Sequence, residues 1–148
     1  MAFKRILCPI DFSPSSERAF ALGAQLARES GGTLVLVHVF EQWPWTTGDY
    51  LLSPNILQDL VDNAQAELAK WRDRAKDLAI KDVQTRFFTG APWDWIVREA
   101  QADTAIDLIV MGTHGRTGLK HVLLGSVAEK TVRHAPCAVL VARAREAS

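Results

Sequence analysis

Leu34-Val35-Leu36-Val37-His38-Val39 is a nearly continuous apolar run, broken only by His38. A run of this kind suits a strand covered by helices on both faces, and it places a parallel strand over residues 33–40. A shorter run, Ile6-Leu7-Cys8-Pro9-Ile10, precedes Asp11-Phe12-Ser13-Pro14 and then a segment whose Ala19, Leu22, Leu26 and Ala27 share one helical face. That is strand followed by helix, with Ser13 as cap, Pro14 in the first turn and Gly31-Gly32 as exit. Residues 41–50 have no stable period and hold Pro44 and Gly48, which predicts a surface loop. Helix resumes at Ser53-Pro54, and Leu57, Leu60, Val61, Ala64, Leu68, Trp71, Ala75 and Leu78 form an amphipathic stripe expected to be its burial face. Residues 82–88 alternate and carry Gln84 and Arg86, as a strand at a partly wet edge would. Gly90-Ala91-Pro92 opens a third helix with Ile96, Val97 and Ala100 inward, and residues 107–111 read as another buried strand. After a glycine-rich crossover, Gly125-Ser126 precedes a short helix to about His134, and Pro136 stops it ahead of the strand 137–141. Strands alternating with helices pair in parallel through right-handed crossovers, so the pattern predicts one open, doubly wound α/β sheet of five strands.

Composition narrows the function classes. The 148 residues (16.4 kDa) suit a single domain spanning 1–148, and 17 basic against 17 acidic side chains cancel to a net charge of zero. No excess of positive charge is offered to nucleic acid or to an anionic membrane, so neither is expected as a partner. Cys8 and Cys137 lie in short apolar segments without the spacing of a disulfide framework or zinc site, and are expected to be core thiols. No secretory hydrophobic region follows Lys4-Arg5 and no long apolar span occurs, which makes the cytoplasm the expected location.

The densest chemical signal is Gly112-Thr113-His114-Gly115-Arg116-Thr117-Gly118, running through residues 119–124 to Gly125-Ser126. It leaves the carboxyl end of a strand and returns at a helix amino end, the place where open α/β sheets bind ligands. Glycines let backbone amides approach an anion, and the unpaired amides of the helix start add a favourable dipole, so a phosphate group is the natural guest. Each glycine taken singly also serves as a turn residue. Ser126 either caps its helix or donates to phosphate, and Arg116 is either solvated or neutralises phosphate. Asp11 is at once a turn or cap residue and, at a strand end, a group with access to the ligand crevice. The loop is not a Walker A sequence, and the first crossover lacks a dinucleotide fingerprint. His38, His114, His121 and His134 fall in different elements, and none is paired in sequence with a nucleophile and an orienting acid. Trp43 and Trp45 serve either loop packing or as a lid stacked on a base.

The spacing Gly112, two residues, Gly115, nine residues, Gly125-Ser126, together with Ile6-Leu7-Cys8-Pro9-Ile10-Asp11 and Leu34-Val35-Leu36-Val37-His38-Val39, resembles the nucleotide-binding branch of the universal stress protein family. The resemblance extends over essentially the whole chain. It implies an adenine nucleotide α-hydrolase-like sheet of strand order 3-2-1-4-5 and a site for ATP. Asp11 would hold the ribose or a nucleotide-bound Mg2+, the backbone of Val39 would meet adenine, and the phosphates would lie over Gly112, Gly115, Gly125, Ser126 and Val127 with Arg116 nearby. The implied order also leaves the last strand at an edge, which suggests a homodimer through Val139, Leu140 and Val141. The function implied is an ATP-binding stress-response protein acting as a nucleotide-dependent switch. Slow ATP hydrolysis or phosphate transfer and a nucleotide-independent dimeric interaction protein are the alternatives, and no residue is assigned to catalysis.

Overall fold

The computed structural model describes residues 2–41, 53–114 and 124–144. Its elements are β1 (Arg5–Pro9), α1 (Pro14–Ser30), β2 (Thr33–Phe40), α2 (Pro54–Asp77), β3 (Asp82–Thr89), α3 (Pro92–Ala102), β4 (Leu108–Gly112), α4 (Ser126–His134) and β5 (Ala138–Ala142). The sheet is parallel throughout, as the alternation of strands and helices predicts, and its order β3-β2-β1-β4-β5 is the one the resemblance implies.

Both faces of the sheet are covered. Ile6, Cys8, Leu34, Leu36 and Val110 pack under α1 and α2, while Leu7, Val35, Val37, Ile109 and Met111 pack under α3 and α4. This double burial is why β2 reads as a continuous apolar run. α1 begins as its sequence requires: the Ser13 hydroxyl accepts from the Ser16 N–H at 3.3 Å, Pro14 lies in the first turn, and Gly31 closes the helix in the left-handed conformation (φ 66°).

The long helix α2 departs from expectation. Only Leu68, Trp71 and Ala75 of its stripe are buried, whereas Leu57, Leu60, Val61 and Ala64 are half-buried and Leu78 is exposed. The sheet supports just the carboxyl-terminal half of this 24-residue helix, because a five- to eight-residue strand is far shorter than the helix that crosses it. Cys8 is fully buried and Cys137 half-buried, so only the first matches the expected core thiol. Burial pushes the Cys8 thiol up to about 12 and raises that of Cys137, with Asp107 adding to the latter, so neither is an activated nucleophile.

Beneath α3 the sheet carries charge, from Arg86 of β3 and Arg5 of β1. Arg86 pairs with Glu99 at 2.7 Å and Asp103 at 3.0 Å, and Asp103 also pairs with Arg5 at 2.8 Å. Hydrogen bonding from Arg5, then from Arg86, holds the Asp103 carboxyl below the usual carboxylate range. A depressed folded-state pKa stabilises the fold above about pH 4 and loses that contribution as the carboxyl protonates on further acidification. Asp103→Asn is therefore expected to lower the urea midpoint at pH 7, with the gap to wild type closing as the pH falls from about 5 towards 2. A gap independent of pH would contradict this assignment. No helix among the described residues is long and apolar enough to cross a membrane.

Candidate functional site

The switch in strand order lies at β1, which has β2 on one side and β4 on the other. β1 pairs with β2 along its full length from Arg5 to Pro9, but with β4 only at Ile6–Leu108 and Leu7–Ile109. The sheet thus parts at the carboxyl end of β1 and β4, where doubly wound sheets hold their ligands.

Asp11 sits at this opening in a fixed orientation. Its Oδ1 accepts from the Ser13 N–H at 3.0 Å and from the Ser16 hydroxyl at 2.5 Å, and the same hydroxyl accepts from the Asp11 N–H at 2.9 Å. Both sequence readings of Asp11 are compatible with this: it is a turn residue, and the turn holds its carboxylate at the strand end. Phe12 follows with φ 67°, a left-handed conformation that costs about 1–2 kcal/mol outside glycine. Packing compensates, since the Phe12 ring stacks on His38 at 4.6 Å and meets the edge of Trp71 at 5.7 Å.

Val39 contributes its backbone. Thr33 N–H donates to the Lys4 carbonyl and the Val37 carbonyl accepts from Ile10 N–H, both at 2.8 Å, so odd-numbered residues of β2 turn their polar groups towards β1. The Phe40 carbonyl accepts from Gly90 N–H, so even-numbered residues turn towards β3. Alternation along a strand then aims the N–H and C=O of Val39 past the end of β1. Among the described residues the Val39 N–H has no hydrogen-bond partner, while its side chain packs in the core.

From the other side come the end of β4 and the start of α4. A Cβ at Gly112 would lie 2.5 Å from Ser15 Oγ and 2.8 Å from the Ser15 carbonyl carbon, so glycine is needed there for α1 to approach. The Ser15 hydroxyl donates to the His114 carbonyl across the same junction. The Gly125 N–H donates to the Thr113 carbonyl at 2.6 Å, which ties the start of α4 to the end of β4. Gly125, rather than Ser126, is the N-cap of α4; Ser126 is the first helical residue, and no side chain caps the helix. The first intrahelical bond runs from Glu129 N–H to the Gly125 carbonyl, leaving the amides of Ser126, Val127 and Ala128 without intrahelical partners.

Asp11, Val39, Gly112, Gly125, Ser126 and Val127 are therefore gathered at one end of the sheet. Gly112 and Gly125 meet structural needs there, and the amides of Ser126 and Val127 are left without intrahelical partners. Gly115 and Arg116, like Trp43 and Trp45, lie outside the described residues. Sequence reasoning missed Ser15, Ser16, Phe12 and His38 as shapers of the site. The Ser13-Pro14-Ser15-Ser16 cluster and the lone histidine in an apolar run were the available signals.

The chain matches the Universal stress protein family over residues 2–143. It belongs to that family. A putative universal stress protein of Staphylococcus aureus strain USA300 is 30% identical over 146 residues, covering 99% of this chain and 87% of the relative. Among solved structures, the universal stress protein UspA from Lactobacillus plantarum superposes with a TM-score of 0.82 at 25% identity, covering 97% of this chain and 99% of that one. A universal stress protein in complex with cAMP superposes with a TM-score of 0.72 at 28% identity, covering 98% of this chain and all of the other (100%).

Proposed function

We propose that this universal stress protein binds an adenine nucleotide, ATP by preference, at the carboxyl end of β1, β2 and β4. The observation that carries the proposal is the uncapped amino end of α4, fastened beside the end of β4 by the Gly125–Thr113 bond. Its amides at Ser126 and Val127, with the Ser126 hydroxyl, suit phosphate, and Gly115 and Arg116 belong to the same glycine motif. Across the opening, the N–H and C=O of Val39 offer a donor and an acceptor to the complementary edge of adenine. Asp11 lies between, suited to the ribose hydroxyls or to magnesium carried by the phosphates. No group of three or more His, Cys, Asp or Glu side chains among the described residues could hold a metal, so the nucleotide would supply most of the magnesium's ligands. The relative bound to cAMP supports an adenine ligand for the fold. Titration calorimetry of nucleotide-stripped protein with ATP and magnesium tests the reading: one ATP per chain is expected, and no heat with either ATP or ADP would refute it.

Occupancy would act as a switch through assembly. β5 is an edge strand, and the Ala142 carbonyl accepts from Thr113 N–H, so even-numbered residues of β5 face β4 and Val139 and Val141 turn their backbone groups outward. Val139, Leu140 and Val141 are only half-buried, as an edge that pairs with a second copy would be. Val139→Pro removes one outward N–H and spares the β4–β5 ladder. It is expected to shift a light-scattering dimer towards monomer, with little change in the ATP affinity of each chain. A wild-type chain that stays monomeric at micromolar concentration with and without ATP would defeat the dimer.

A further inference from the structure

The parallel ladder between β1 and β2 stops one bond early, and a side chain occupies the carbonyl at which it stops. The repeat that joins Thr33 to Lys4 and Ile10 to Val37 calls next for the Val39 N–H to donate to the Ile10 carbonyl. That bond is not made. The Ile10 carbonyl is instead engaged at 2.7 Å by His38 Nδ1, and because a carbonyl only accepts, Nδ1 carries the hydrogen. His38 is buried, stacked against Phe12 at 4.6 Å and tilted against Phe87 at 5.7 Å, so its ring is held in that position from both sides.

We propose that His38 is a positioning residue for the ligand: by drawing the Ile10 carbonyl out of the ladder, its imidazole keeps the Val39 N–H unpaired for the adenine edge. It also fixes the turn that carries Asp11, because its ring touches both Ile10 and Phe12, the residues flanking Asp11. The ligand half of this inference rests on the nucleotide reading above; the interrupted ladder does not. A histidine at this point does what an aliphatic residue would not, which accounts for one polar position within an otherwise apolar strand.

Amide hydrogen exchange by NMR, combined with ATP calorimetry on the full chain, tests the two halves separately. In the wild type the Val39 amide is expected to exchange at least about tenfold faster than that of Val37, which bonds within the ladder. In His38→Leu the freed carbonyl pairs with Val39, so Val39 exchange slows towards that of Val37 and ATP affinity falls about tenfold, the loss of one hydrogen bond. His38→Asn, whose side-chain amide retains a donor, is expected to keep both values near wild type. Faster exchange along all of β2 in His38→Leu would mark a merely structural residue and overturn the proposal. So would a wild-type Val39 amide as protected as Val37, a result that stands even if the variant fails to fold. The expected exchange pattern without ATP binding would support the interrupted ladder and overturn the nucleotide reading instead.

Discussion

Replacing Ser126 with proline is expected to weaken ATP binding about a hundredfold while leaving folding stability within about 0.5 kcal/mol of wild type. Proline is tolerated at the first helical position because the amide it lacks has no intrahelical partner there. The preceding residue must be extended, and Gly125 already is, with φ −67° and ψ 165°. The substitution therefore removes the Ser126 N–H and hydroxyl with no bond of α4 broken. Two hydrogen bonds to a charged phosphate, each contributing about 1.5 kcal/mol, amount to roughly a hundredfold in affinity. Ser126→Ala removes the hydroxyl alone and should cost about tenfold. Calorimetry gives the affinities and thermal unfolding the stability. Undiminished binding by the proline variant would mean that the phosphates do not lie on α4.

A large loss of stability is expected at Gly112. An added Cβ would press on Ser15 at three atoms, all closer than 3 Å, and one of them is backbone. The junction of β4 with α1 must therefore move, at a cost of about 3 kcal/mol for Gly112→Ala, or a Tm roughly 6–12 °C lower. Nucleotide affinity should fall as well, since the Ser15–His114 bond that joins α1 to the segment after β4 shifts with it. Ser15→Gly in the same chain relieves the clashes with Cβ and Oγ but not with the carbonyl carbon. The double variant should recover part of the loss, a coupling that independent sites would not show. Equal stability of wild type and Gly112→Ala would remove the packing role assigned to this glycine.

Much of the fold was legible in the sequence because double burial leaves a plain mark. β2 reads as an apolar run broken only by His38, Ser13-Pro14 and Ser53-Pro54 announce helix starts, and Gly31 an exit. The extent of burial along α2 was not legible, since periodicity tells which face of a helix is apolar but not how much sheet lies under it. Nor could glycine spacing separate two uses of the same residue type. Gly112 admits a neighbouring serine, and Gly125 caps a helix and bonds a carbonyl, structural uses that the spacing leaves open beside a phosphate contact. The place of Val39 came from the family resemblance alone. The structure adds the reason its backbone faces outward, which depends on strand register and on where β1 ends, quantities that one sequence does not encode locally.

We place the nucleotide at the end of the sheet formed by Asp11, Val39 and the first turn of α4. Backbone NMR of isotopically labelled protein titrated with ATP and magnesium tests it most directly. The amide signals of Asp11, Val39, Ser126 and Val127 should shift together and saturate at one ATP per chain, while those of Arg5, Asp103 and Asp107 at the opposite end of the sheet stay in place. Saturable shifts confined to that opposite end, or no shift at millimolar ATP, would contradict it.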